Sequence, residues 1–256
     1  MRTATLVAVA CAVLMTTCFA AAGARIHFSP TELNVIQSHG PWPPGFAGDP
    51  SNRHSGSPKA IALGASLFGD TRLSRTGTIA CSNCHQPDRL FTDGQATGNG
   101  LKRLKRNTPT IVNTAYLRWY GWDGAADNLW AQTIRPIASD EEMDGAGALR
   151  NLYETDANLR AAFTDAFGIS PPDVSDEKMI VFTAKALAAW QETLVTQRTP
   201  FDEYRDALLA DDAERMALYP ESAQRGLKIF IGKGRCSFCH FGPAFSNGEF
   251  ADIGIP

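Results

Sequence analysis

The 256-residue chain carries 24 Lys and Arg against 27 Asp and Glu, a formal net charge of −3. That balance lacks the basic excess a nucleic-acid binder needs. Past the first two dozen residues no stretch approaches the roughly 18 apolar residues of a membrane span, and the length suits two small domains.

The chain opens with Arg2, an apolar run from Leu6 to Ala22, and Ala22-Gly23-Ala24 as an A-x-A cleavage site. This reads as a secretory signal peptide over residues 1–24, so the product is expected to be exported to the periplasm. Cys11 and Cys18 leave with it. Cys18 as a lipoprotein cysteine is the weaker reading, because Met15-Thr16-Thr17 matches such a site poorly. Cleavage removes Arg2 and no acid, so the mature chain is one charge more acidic. Residues 25–57, punctuated by Pro30, Pro41, Pro43, Pro44 and Pro50, read as an arm ordered over a domain or as plain coil.

Ser57-Pro58 predicts a helix start, an N-cap followed by proline at the first helical position. Ile61, Gly64, Ala65 and Phe68 fall on one face at i, i+3, i+4, i+7. Next comes Cys81-Ser82-Asn83-Cys84-His85, a C-x-x-C-H attachment signature for a c-type haem. Two thiols on one helical turn can each add to a vinyl group of the same porphyrin, and the histidine beside them supplies an axial iron ligand. The signature recurs as Cys236-Ser237-Phe238-Cys239-His240. A thioredoxin-like pair would need a βαβ setting, which neither copy has. A four-cysteine zinc site would need the two pairs far closer together in sequence. Two haem c groups are therefore expected, on Cys81, Cys84 and His85 and on Cys236, Cys239 and His240.

Between the two signatures, Leu149, Leu152, Leu159, Ala162 and Phe163 predict an amphipathic helix closed by Gly168 and Pro171-Pro172. Ser175 caps a longer helix running through Gln197, with Asp176 and Glu177 in its first turn. Ile180, Ala184, Leu187, Ala188 and Leu194 mark its buried side. Gly226…Phe230 before the second signature repeats the spacing of Gly64…Phe68 before the first, with 6 rather than 13 residues from Phe to Cys. Each glycine would let another helix approach, with the phenylalanine against the haem edge. No alternating strand pattern appears. The expectation is an all-α protein of two cytochrome c-like haem domains, over 58–170 and 171–256.

Several ordered motifs resemble the bacterial di-haem cytochrome c peroxidases and their relative MauG, from about Ala60 to Pro256. They are Leu67-Phe68…Leu73-Ser74, Arg106-Asn107-Thr108-Pro109-Thr110, Trp122-Asp123-Gly124, Leu129, Gln132, Pro136, Glu142-Met143, and Phe201-Asp202-x-Tyr204. Taken singly, Glu142 after Asp140 and Glu141 reads as a solvated acidic turn, Gln132 as a surface amide and Trp122 as a core aromatic. The resemblance implies more. The first haem would be peroxidatic and the second would relay electrons. Gln132 and Glu142 would line the open face of the first haem and Trp122 would lie between the haems. Asn107 would ligate a calcium ion between the domains, and Arg106, in a basic run otherwise read as a solvated loop, would face a haem propionate. A carboxyl can move the proton that O–O cleavage requires, and an amide can donate to the bound peroxide without titrating.

Two departures from the family pattern stand out. No histidine occurs from Gln86 to Phe238, where the typical peroxidases carry one that caps the first iron, so an open first iron, as in MauG, is expected. His27, His39 and His54 lie in the arm and read as surface residues. The chain also ends 16 residues after His240, before a sixth ligand for the second haem or the remaining calcium ligands, and reads as truncated. The leading expectation is a peroxidase that reduces hydrogen peroxide with electrons from a small soluble carrier, a cytochrome c or cupredoxin. The alternative is a MauG-like enzyme that uses peroxide to oxidise Trp or Tyr side chains of a partner protein. A third is a di-haem electron carrier, which would gain nothing from Gln132 and Glu142. The chain's acidity suits a basic donor, and a homodimer is a further expectation.

Overall fold

The computed structural model describes residues 26–250, so the expected leader lies outside the described residues. Among the described residues ten helices are connected by loops and short 3-10 turns, and the only β pairing is three isolated bridges. The all-α expectation holds. In chain order the helices are α1 (Pro30–Gln37), α2 (Pro58–Phe68), α3 (Cys81–Cys84), α4 (Leu129–Ala138), α5 (Ala148–Thr155), α6 (Ala157–Phe167), α7 (Asp176–Gln191), α8 (Pro200–Leu209), α9 (Ala213–Ala217) and α10 (Glu221–Ile231).

The centre is the crossing of α2 and α7. Ser57 caps α2 as the sequence predicts, its side chain accepting from the Ala60 N–H. The buried face is Ala60, Leu63, Gly64, Leu67 and Phe68, so the expected face is displaced and Ala65 points outward. The cause is Gly64. A Cβ there would overlap the Ala186 carbonyl and stand 2.9 Å from the Trp190 Cβ, so α2 lies directly on the backbone of α7. Ala184, Ala186, Ala188 and Ala189 keep the α7 side equally thin. In the second copy Gly226 has open space beside it, so the shared Gly-x-x-x-Phe spacing does not carry a shared contact.

The amphipathic stretch around Leu149–Phe163 forms two helices rather than one. Asp156 ends α5 and caps α6, accepting from the Asn158 and Leu159 N–H groups. Helix α7 begins at the Ser175 cap but stops at Gln191, short of the expected Gln197. The segment beyond is rich in β-branched residues, which favour helix weakly, and it pairs with Asn113 instead. Asn113 N–H donates to Leu194 O at 2.7 Å, and Thr196 N–H donates to Asn113 Oδ1 at 2.9 Å.

The main core draws on both sides of the expected boundary at Pro171-Pro172, uniting Leu63, Leu67, Leu149 and Phe163 with Met179 and Leu187. Helix α7 thus packs with the first unit. A smaller cluster joins Phe28 and Ile36 to Tyr204, Ala207, Met216 and Leu227, so α1, from the arm, packs with α8, α9 and α10. The arm is ordered. Trp42 Nε1 donates to Thr196 O at 2.9 Å, Asn52 Nδ2 donates to Lys185 O at 3.0 Å, and His54 stands edge-on to Phe167.

Candidate active site

Helix α3 is a single turn that sets Cys81 and Cys84 on one side and delivers His85 at its end, where His85 N–H donates to Cys81 O at 2.8 Å. Both thiols are free. Burial pushes the Cys81 thiol up to about 12 and raises that of Cys84 as well, so both are held as neutral S–H groups. His85 Nδ1 lies 3.1 Å from the Phe91 carbonyl. That contact makes Nδ1 the protonated nitrogen and leaves Nε2 to ligate a metal. Burial lowers the His85 pKa, and the Phe91 and Pro109 carbonyls with Asp93 partly restore it, which favours the neutral ligating form. Phe91 holds a left-handed backbone at φ 58°, an uncommon conformation for a bulky residue. The second motif repeats the device: His240 Nδ1 lies 3.1 Å from the carbonyl of Phe245, itself at φ 53°.

Cys81, Cys84 and His85 line a cavity of about 530 Å³ whose wall also includes Phe68, Arg106, Asn107, Trp122, Gln132 and Glu142. Every site residue expected in the first unit therefore meets in one cavity, although they come from α2, α3, α4 and three loops. The second motif stands apart, with Cys236, Cys239 and His240 all exposed and Phe238 84% exposed.

On the wall of the same cavity, α4 carries Gln132 and the turn after it carries Glu142. Arg135, one helical turn on, donates Nη1 to Gln132 Oε1 at 3.2 Å, and its guanidinium also pairs with both carboxylate oxygens of Asp123, at 3.0 and 3.1 Å. Because the amide oxygen is taken, the Gln132 NH₂ is the group left to donate into the cavity. Arg135 beside Asp123 holds that carboxyl at about 2, so the pair stays ionic. Gly121, at φ 79°, makes room for the clamp, since a Cβ would stand 2.7 Å from Arg135 Nη1. Glu142 is anchored through its main chain: Leu101 N–H donates to Glu142 O at 2.9 Å, and Lys102 N–H donates to Glu141 O at 2.8 Å. Burial raises the Glu142 carboxyl above its ordinary value; Arg135 opposes this and Glu141 adds to it. Glu142 is thus half-buried in the cavity wall, unlike the solvated turn its acidic neighbours suggest. Lys102 ion-pairs with Asp140 at 2.7 Å on the surface, while Arg106 reaches the cavity wall.

Trp122 is 51% exposed and donates Nε1 to Asn107 O at 3.0 Å, so it is not the core aromatic its type suggests. Its loop meets the segment after the second motif. Arg118 ion-pairs with Glu249 at 2.7 Å, and the Phe250 ring lies against Gly124. Asn107, the expected calcium ligand, lines the first cavity, and among the described residues no group of three His, Cys, Asp or Glu side chains is gathered to hold a metal. His39 corrects the surface reading of the arm histidines. It is buried, 1% exposed, with Nδ1 2.8 Å from Val35 O and Nε2 3.0 Å from His240 O. His54 is half-buried, His27 is exposed, and none of the three lines the cavity. The Arg135–Gln132 spacing of three on one helix was a readable signal for the clamp. Asp123 and His39 were placed by contacts distant in sequence.

The sequence profile described as "Di-haem cytochrome c peroxidase" matches residues 58–208. The chain belongs to the di-haem cytochrome c peroxidase family. The methylamine utilization protein MauG of Methylorubrum extorquens is 33% identical over 244 residues, covering 94% of this chain and 65% of that protein. Cytochrome c551 peroxidase of Pseudomonas aeruginosa is 34% identical, covering 75% and 53%. A solved MauG-like protein associated with microbial copper homeostasis superposes with a TM-score of 0.64 at 25% identity, covering 83% of this chain and 61% of that one. The chain spans about half to two thirds of the relatives it matches. Haem is the family's cofactor, and the first cavity fits one on its own terms: two free thiols on one turn, a histidine with Nε2 to spare, and a volume within the range of cofactor pockets.

Proposed function

We propose that the chain is an exported di-haem peroxidase that reduces hydrogen peroxide to water with electrons from a small soluble redox protein. The observation that carries this reading is the single cavity that joins Cys81, Cys84 and His85 to Gln132 and Glu142. A bound haem supplies the redox-active iron that meets peroxide and accepts electrons. The chain's residues do the rest. Each thiol of Cys81 and Cys84 adds across a vinyl group, the sulfur bonding to one carbon and the proton passing to the other. His85 ligates through Nε2. The Gln132 NH₂, aimed by the Arg135–Asp123 clamp, donates to peroxide and orients it. Glu142 takes a proton from one peroxide oxygen and returns it to the other, and burial, which raises its pKa, eases the uptake. Arg106 at the cavity wall suits a propionate.

Cys236, Cys239 and His240 would hold the second haem, which would supply a relay for electrons, and Trp122, on the loop that meets the segment after that motif, would bridge the two sites. The apolar run from Leu6 to Ala22 with its A-x-A end supports a periplasmic location. A MauG-like role, oxidising Trp or Tyr side chains of a partner protein, is favoured by one observation: no histidine between His85 and His240 is available to cap the first iron. The two readings differ in when peroxide reacts and what becomes of the oxidising power. Stopped-flow mixing of the oxidised holoprotein with peroxide and then with reduced donor separates them. Glu142→Gln is expected to keep haem content and slow peroxide reduction by about 10²–10⁴. Trp122→Phe is expected to leave that step unchanged and slow electron arrival. Wild-type speed in the Glu142 variant contradicts the proton-transfer role. Rapid donor oxidation supports the peroxidase reading, and its absence with an otherwise reactive first site supports the protein-oxidising one.

A further inference from the structure

Of the three arm histidines His39 alone is buried, yet it touches the second C-x-x-C-H turn, whose own cysteines and histidine are exposed. Its Nε2 lies 3.0 Å from the main-chain oxygen of His240, 201 residues away. We propose that His39 is a positioning residue for the second haem site, setting the His240 imidazole from the arm through the His240 carbonyl and the Phe245 ring. The inference rests on the reading of Cys236, Cys239 and His240 as a haem attachment site.

A carbonyl oxygen only accepts, so His39 Nε2 is the donor in the contact with His240. Among the described residues no other donor reaches that oxygen, and the arm therefore fills an acceptor that the exposed turn leaves open. The Val35 carbonyl, 2.8 Å from His39 Nδ1, also accepts from Ser38 Oγ at 2.7 Å, so it does not depend on the His39 ring. A second path runs through the ring face. The centroids of His39 and Phe245 are 4.8 Å apart, and Phe201 and Phe230 close around both at 5.2–6.3 Å. Phe245 is the residue whose left-handed backbone, φ 53°, brings its carbonyl to 3.1 Å from His240 Nδ1. One buried ring thus holds both the main chain of the ligating histidine and the residue that orients its side chain.

His39 is itself fixed by elements outside the haem turn. Arg205, buried on α8, donates Nη1 to His39 O at 3.3 Å. Gly40 makes this possible, since a Cβ there would overlap the guanidinium. Helix α1 is tied to α10, which leads into the second motif, by Lys228 Nζ donating to Glu32 Oε2 at 3.0 Å. An apolar side chain would fill the same space without the cost of burying two ring nitrogens. The consequence is electronic. A carbonyl that accepts from Nδ1–H makes the ligating nitrogen more basic and so favours oxidised iron. Loosening His240 should therefore raise the reduction potential of the second haem and leave the first unmoved.

The test uses haem-loaded protein, with haem per chain counted first and both haem potentials read by spectroscopic redox titration. His39→Leu removes the donor and keeps the bulk. It is expected to retain two haems and to shift the second haem about tenfold toward the reduced form, about 60 mV upward for one electron. His39→Gln places an NH₂ as many bonds from Cα as Nε2 and should restore the wild-type potential. His39→Asn places it at the level of Nδ1 and should not; this pair decides the question should His39→Leu fail to fold. An unmoved second potential in His39→Leu, or equal potentials in His39→Gln and His39→Asn, would overturn the proposal and leave His39 a packing residue, even where the thermal midpoint falls. One haem per chain in the wild type would overturn the reading of the second motif and the proposal with it.

Discussion

At Cys81–His85 the C-x-x-C-H turn lies in the wall of a cavity of about 530 Å³ that the Gln132 amide and the Glu142 carboxyl also line. At Cys236–His240 the same five-residue pattern lies at the surface, with Phe238, Phe241 and Phe250 exposed around it. Both turns share the local device, a histidine whose Nδ1 faces the carbonyl of a left-handed phenylalanine five or six residues on. The signature therefore fixes the turn and the histidine tautomer, while the rest of the fold sets what lies beside each one. Among the described residues, the cavity that carries Cys81, Cys84 and His85 also carries Gln132 and Glu142.

The largest expected effect comes from removing the first attachment. Cys81→Ala with Cys84→Ala should lower haem from two per chain to one by the pyridine haemochrome assay and abolish peroxide turnover. Retained turnover would erase the distinction between the two sites.

A smaller effect sharpens the comparison at the level of packing. Gly64→Leu forces a side chain into the backbone of α7 and should cost about 1–3 kcal/mol in stability. Gly226→Ala, the equivalent position in the second copy, meets open space inside a helix and should stabilise by about 0.5–1 kcal/mol. Thermal unfolding of the two variants reads both, and equal signs would contradict the asymmetry.

The smallest effect concerns Glu142. Its folded pKa is raised, so above the unfolded value near 4.5 the unfolded chain gives up its proton first and stability falls as pH rises. Glu142→Gln should therefore match the wild type below about pH 4 and melt higher at neutral pH. A lower melting point at pH 7 would mean that the carboxylate is stabilised by a partner.

Much of this was legible in sequence where the cause is local. The Ser57 cap, the Ser175 cap, Gly168 as a left-handed stop and both haem turns follow from residues within one turn of each other. The buried face of α2 was misread because its rotation is set by how closely α7 approaches at Gly64. The boundary at Pro171-Pro172 looked like a domain edge because prolines end helices, yet the core continues through Met179 and Leu187. Gln132 and Glu142 became readable as a site only through the joint spacing of the family motifs, since each alone is an ordinary polar residue. His39 could not be read at all, because its contact with His240 spans 201 residues.

The most direct test of the division of labour is the reciprocal variant, Cys236→Ala with Cys239→Ala, mixed with peroxide after its haem content is measured. The account predicts one haem per chain, on Cys81 and Cys84, that still reacts with peroxide while electron delivery from the donor fails. A single retained haem that no longer reacts with peroxide, or full turnover with the donor, would contradict it.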